Sequence, residues 1–149
     1  MILLEDIAGT GFPERSEYIK SQLTGKRAVK SILVIDDEKV LCNLFKEALE
    51  KFGYEVRVAF DGDEGLRLFR IHPADLVITD IFMPKKDGHT LIMDITKDFP
   101  GANIFAMTGV VSFDPEMELS IAQQLGAVKT FQKPVKFKAL LDSIKELAV

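Results

Sequence analysis

From Ser31 onward the chain alternates short β-branched runs with amphipathic stretches, and this alternation limits the fold more than any other feature. It is the pattern of βαβ units around a parallel sheet. "SILVI" (Ser31–Ile35) reads as the first strand. Leu41, Leu44, Phe45, Ala48, Leu49 and Phe52 follow at helical spacing, predicting a helix with one buried face that stops at Gly53. "YEVRVAF" (Tyr54–Phe60) alternates as a strand, and Asp61 can cap a short helix reaching Arg70. "LVIT" (Leu76–Thr79) is continuous enough to be covered on both faces. Beyond the turn-rich "MPKKDG", a helix is expected from about Thr90 to Phe99, halted by Pro100 and Gly101. "NIFAM" (Asn103–Met107) is the next strand, and Asp114 with Pro115 marks the start of a helix running to about Leu125, with Gly126 as its stop. "TFQ" (Thr130–Gln132) leads through Lys133 and Pro134 into a last helix with the stripe Phe137, Leu140, Leu141, Ile144 and Leu147. Five strands, each followed by a helix, joined by right-handed crossovers, make a doubly wound α/β sheet.

Residues 1–29 stand outside the alternation as an N-terminal extension, leaving 30–149 as the domain. Within the extension a helix from Pro13 to about Leu23 is expected, with Gly25 as its stop, followed by a basic linker "GKRAVK". Ile2, Leu3, Leu4, Phe12, Tyr18, Ile19 and Leu23 are too many apolar side chains for a free tail. They are expected to pack on the domain or on a second copy, the latter making a homodimer.

Composition narrows the function. With 47% hydrophobic residues, 28% charged and a formal net charge of −4, the chain is an ordinary globular sequence without general attraction for nucleic acid or anionic lipid. One cysteine, Cys42, inside a helical apolar pattern, argues against a disulfide framework or a zinc cluster and fits a small core residue. The apolar start "MILL" lacks a basic leader, and no run approaches the roughly 20 apolar residues of a membrane helix. A cytoplasmic protein with no membrane partner is expected. His72 and His89, in loops, read as surface residues.

The chemistry lies where strands end. In an open parallel sheet ligands bind beyond the carboxyl ends of the strands. There the first strand gives Asp36, Asp37 and Glu38, the third Asp80, the fourth Thr108, and the fifth Lys133. Carboxylates converging at one place repel and raise each other's pKa unless a cation lies between them, and Mg²⁺ suits oxygen ligands. Thr108 and Lys133 then call for an anion. A hydroxyl and an ammonium beside a metal-bound carboxylate make a phosphoryl site.

"ILVIDDE" (32–38), "DLVITDIFMPKKDG" (75–88), "IFAMTG" (104–109) and "FQKPV" (131–135) together resemble the response-regulator receiver domains of two-component signalling, over about Lys30 to Val149. The resemblance implies a flavodoxin-like strand order 2-1-3-4-5 with five helices. It makes Asp80 the phosphoacceptor, Asp37 and Asp36 the holders of Mg²⁺ together with Asp80 and the backbone carbonyl of Phe82, Thr108 the switch hydroxyl and Lys133 the phosphoryl-binding lysine, before a cis Lys133–Pro134 bond. It implies a sensor histidine kinase or histidine phosphotransfer protein as donor and a downstream protein target. Such a protein is no enzyme in the usual sense, although it promotes its own phosphorylation and dephosphorylation. Since Val149 follows the fifth helix directly, a stand-alone receiver is expected. The alternative is a pseudo-receiver that docks proteins without phosphorylation, which would normally lack one of these groups. A flavin binder would need a phosphate cradle where "DDEK" offers acids, and an aspartyl-phosphate hydrolase would carry an Asp where Phe82 stands.

Three places depart from the family pattern. Thr130 occupies the position of a swinging aromatic, the loop "GVVSFDP" is about three residues longer, and the extension is additional. Phe113, with Val110 and Val111, is the expected substitute for the aromatic, because Phe131 should point into the core.

Overall fold

The computed structural model describes residues 28–109 and 113–147. Among them, five strands alternate with five helices: β1 (Ser31–Ile35), α1 (Lys39–Glu50), β2 (Glu55–Ala59), α2 (Gly62–Ile71), β3 (Leu76–Asp80), α3 (Gly88–Asp98), β4 (Ile104–Thr108), α4 (Pro115–Leu125), β5 (Lys129–Gln132) and α5 (Phe137–Glu146). The sheet is parallel throughout, in the order β2-β1-β3-β4-β5. This is the doubly wound order expected from the sequence. The predicted helix at 13–23, and the other expectations for residues 1–27, lie outside the described residues.

The sheet separates two apolar layers. Strand side chains alternate, so one set packs under α2, α3 and α4 with Leu33, Ile35, Val77, Ile104 and Ala106. The other set, Ile32, Val34, Ile78, Phe105 and Met107, packs under α1 and α5. β3 and β4 are buried along their whole length, which is why their sequences are continuous apolar runs rather than alternating ones.

The helix ends follow local chemistry. Asp61 accepts a hydrogen bond from the Glu64 N–H, Asp87 from Thr90 and Asp114 from Met117, each capping the helix that follows. Gly126 closes α4 at φ +131°, a conformation that side-chain-bearing residues rarely adopt.

Two sequence expectations need correction here. α3 begins at Gly88 rather than about Thr90, because Asp87 is its cap. On α1, Cys42, Phe45 and Leu49 form the buried face, whereas Leu44 is 57% and Phe52 55% exposed. Leu44 is turned about 100° from Phe45 around the helix, and Phe52 lies beyond its last turn, its ring tilted against that of Phe137 with centroids 5.9 Å apart.

Candidate functional site

Register brings the expected groups together at one end of the sheet. Ile35 pairs with Thr79, so Asp36, one residue on, stands beside Asp80. Asp80 pairs with Met107 and Thr108 with Gln132, so Thr108 and Lys133 follow on the same level. Backbone bonds fix these ends: Asp36 N–H to the Ala59 carbonyl at 3.1 Å, Ile81 N–H to Met107 at 2.9 Å and Lys133 N–H to Thr108 at 2.8 Å. β1 and β3 are neighbours although α1, β2 and α2 separate them in sequence, and this is where such a sheet opens a crevice.

Asp36 is fully buried, Asp80 is 5% exposed and Asp37 faces solvent. One carboxylate oxygen from each of the three lies within 4.8 Å of the others. The Lys133 ammonium donates to Asp36 Oδ2 at 2.6 Å and lies 3.5 Å from Asp80 Oδ2 and 3.8 Å from Glu38 Oε1. Asp36 Oδ1 accepts from the Glu38 N–H at 2.9 Å, and Asp80 Oδ1 from the Ile81 N–H at 2.9 Å. The Lys133–Pro134 bond is cis, as the resemblance implied.

The electrostatics follow from burial and from these neighbours. Burial first, then the Asp36 charge, pushes the Asp80 carboxyl from its ordinary 3.8 up to about 6, against the opposing pull of Lys133 and the Ile81 N–H. For Lys133, burial favours the neutral amine. The hydrogen bond to Asp36 and the charges of Asp80, Asp36 and Glu38 outweigh it and raise the ammonium pKa. Thr108 Oγ1 is buried without a hydrogen-bond partner among the described residues. A hydroxyl left in that state costs about 1–3 kcal/mol.

A glycine supports the acid from behind. Gly88 N–H donates to the Ile81 carbonyl at 2.7 Å, and a Cβ there would overlap the Asp80 carbonyl oxygen and stand 2.6 Å from Ile81 Cα. Only glycine lets the start of α3 close on the end of β3. Phe82, two residues past Asp80, has an exposed side chain.

Other expectations resolve as follows. Cys42 is a buried core residue whose thiol donates to the Asp36 carbonyl oxygen at 3.2 Å, and burial pushes its pKa up to about 12. Phe131 does turn inward, 5.6 Å from Phe105. Phe113 is fully exposed, and its loop neighbours Val110 and Val111 lie outside the described residues. His72 is a surface residue. His89 is not: half-buried, it meets the Glu118 carbonyl oxygen at 3.0 Å and the Glu118 carboxylate at 3.5 Å, tying α3 to α4. The signal was available, since His89 shares a helix side with Ile92 and Thr96, which pack near Gly126 at the end of α4.

The donor set fits a hard divalent cation. It offers three carboxylates, one of them solvent-facing, and no soft ligand other than the inward-facing Cys42.

Comparison with known proteins identifies the family and the fold. The family model for the response regulator receiver domain matches residues 32–145. A probable transcriptional regulator, ycf27, of Cyanophora paradoxa is 34% identical over 120 residues, covering 79% of this chain and 48% of that protein. The chain spans about half the length of the curated relatives it matches. A response regulator receiver domain protein from Clostridium thermocellum superposes with a TM-score of 0.73 at 34% identity, over 79% of this chain and 93% of that one. A response regulator from Burkholderia pseudomallei, solved with a phosphorylated aspartic acid, calcium ion and citrate, superposes at 0.69 with 30% identity, over 77% of this chain and 66% of that one. Among the described residues no helix is long and apolar enough to cross a membrane.

Proposed function

The chain belongs to the response regulator receiver domain family of two-component signalling, and from that premise we propose that Asp80 accepts a phosphoryl group from a histidine kinase or histidine phosphotransfer protein in a Mg²⁺-dependent reaction. The observation that carries this reading is the Thr108 hydroxyl beside the acid cluster and Lys133, buried and without a hydrogen-bond partner among the described residues. A buried hydroxyl without a partner is explained if an acceptor arrives during function, and a phosphoryl oxygen is such an acceptor.

In the proposed step an Asp80 carboxylate oxygen attacks phosphorus, and the phosphorus–nitrogen bond of the donor phosphohistidine breaks with its electron pair going to the ring nitrogen. Asp36, Asp37 and Asp80 would hold Mg²⁺, with the Phe82 carbonyl as a further ligand. When bound, the ion neutralises carboxylate charge and stabilises charge developing on phosphoryl oxygens. Lys133 starts on Asp36 and Asp80, close enough to take up a phosphoryl oxygen by a small rotation. Thr108 donates its hydroxyl proton to another. Ile81 N–H and Gly88 hold the Asp80 backbone and carboxylate in place.

The Burkholderia response regulator with its phosphorylated aspartic acid and calcium ion supports this reading by analogy. The phosphoryl group adds about two negative charges beside Thr108, enough to shift a population between two loop states and alter a surface read by a target protein. The test is incubation with a small-molecule phosphodonor, with and without Mg²⁺, followed by intact-mass measurement. Wild type should gain one phosphoryl group only with Mg²⁺, and Asp37→Ala should recover part of the gain in excess metal. A gain that ignores Mg²⁺ would overturn the metal role.

A further inference from the structure

One side of α1 is apolar where a solvated helix would be polar. Val40 and Leu44 are 75% and 57% exposed, and Phe52 just past the helix is 55% exposed. Leu44, Ala48 and Phe52 recur every four residues and therefore line one side. The contact of Phe52 with Phe137 identifies that side as the one turned toward α5. At its upper end lies a cleft of about 410 Å³ walled by Leu41, Phe45, Pro134 and Val135, opening beside Lys133 and Gly109. Stripe and cleft form a trough between α1 and α5, and contiguous exposed apolar surface of this kind marks a place where a partner can pack.

We propose that the partner is this chain's own N-terminal segment, with residues 13–23 lying in cis along the trough. The described chain begins at Ala28, and Val29 is buried in the apolar layer shared by α1 and α5. Glu55 N–H donates to the Lys30 carbonyl at 2.9 Å, so Ala28–Lys30 runs alongside Gly53–Glu55, next to the Phe52 end of the stripe. The segment thus enters at the foot of the trough. Because Val29 is packed in the α1–α5 layer, the segment leaves the described chain on that side of the sheet, away from the layer that holds the exposed Met93 and Met117.

Length and pattern also match. Read as a helix, residues 13–23 are about 16 Å long, against about 18 Å for the twelve residues of α1. Ile19 and Leu23 then fall on one side, one turn apart, and supply the apolar face that the trough lacks. Because the trough opens at Lys133, a seated segment stands beside the acid pocket.

The experiment places a nitroxide at Ser21→Cys in the full chain, on the side of the segment opposite Ile19 and Leu23. Cys42, buried and with its thiol pKa near 12, does not compete for the label at neutral pH. Amide resonances of Leu44–Phe52 and of the first turns of α5 should lose most of their intensity, while those of Met93 and Met117 keep theirs. In a mixture of nitroxide-labelled chain at natural isotopic abundance with nitroxide-free, isotope-enriched chain no losses should appear, and Ile19→Asp with Leu23→Asp in the labelled, enriched chain should restore the intensities. Losses that are weak and evenly spread, that centre on Met93 and Met117, that appear in the mixed sample because a second copy is the partner, or that persist in the double variant would each overturn the proposal. None of these readouts depends on phosphorylation.

Discussion

Replacing Asp80 by Asn should stabilise the metal-free protein at neutral pH. Burial and the neighbouring Asp36 raise the Asp80 carboxyl from 3.8 to about 6. Between those two values the folded protein holds a proton that the unfolded chain has released. Stability present below pH 3.8 is therefore lost as pH rises toward 6, and the loss is complete at pH 7. At about 1.36 kcal/mol per pH unit this amounts to about 3 kcal/mol. Asn has nearly the same shape and no charge to desolvate. Lys133 retains Asp36 at 2.6 Å when Asp80 is neutralised, so the lysine is not left without a partner. For a domain of this size the expected rise in Tm at pH 7 is roughly 6–12 °C. With no tryptophan in the chain, far-ultraviolet circular dichroism during urea unfolding in the presence of a chelator is the natural assay. The variant should exceed wild type at pH 7 and match it near pH 4. Added Mg²⁺ should close the gap by binding the folded wild type. A variant no more stable than wild type at pH 7, or an equal gap at both pH values, would refute the account of how the acid pocket stores free energy.

Two further outcomes follow from the same geometry. Lys133→Met leaves the fully buried Asp36 without its cation, which should cost about 3–5 kcal/mol in metal-free protein and be partly restored by Mg²⁺. It should also move the Asp80 titration upward in carboxyl-carbon NMR, because Lys133 holds that pKa down. Gly88→Ala forces a Cβ against the Asp80 carbonyl and Ile81 Cα, so the urea midpoint should fall by an amount corresponding to about 1–3 kcal/mol, with the slope unchanged.

Much of the fold was legible because a parallel sheet covered on both faces writes itself as continuous apolar runs, as in Leu76–Thr79 and Ile104–Met107. The site was legible because its members sit at strand ends, and strand ends are fixed by where those runs stop. What the sequence could not settle were matters of contact. Leu44 and Phe52 share the helical period of the core residues, yet Leu44 lies on the flank of the buried face and Phe52 past the helix end against Phe137. The His89–Glu118 tie joins residues 29 apart on separate helices, a pairing set by how α3 and α4 lie together. Gly88 reads as a turn glycine until its approach to the Asp80 carbonyl is seen. Nor could spacing tell that Lys133 bonds Asp36 more closely than Asp80.

The central claim is that Asp80, rather than the neighbouring Asp36 or Asp37, carries the phosphoryl group. It is tested by phosphorylating the protein with Mg²⁺, trapping the acyl phosphate with borohydride, and mapping the modified peptide by tandem mass spectrometry. The account predicts a single reduced residue at position 80, absent in Asp80→Asn. Modification at Asp36 or Asp37, or undiminished label in Asp80→Asn, would contradict it.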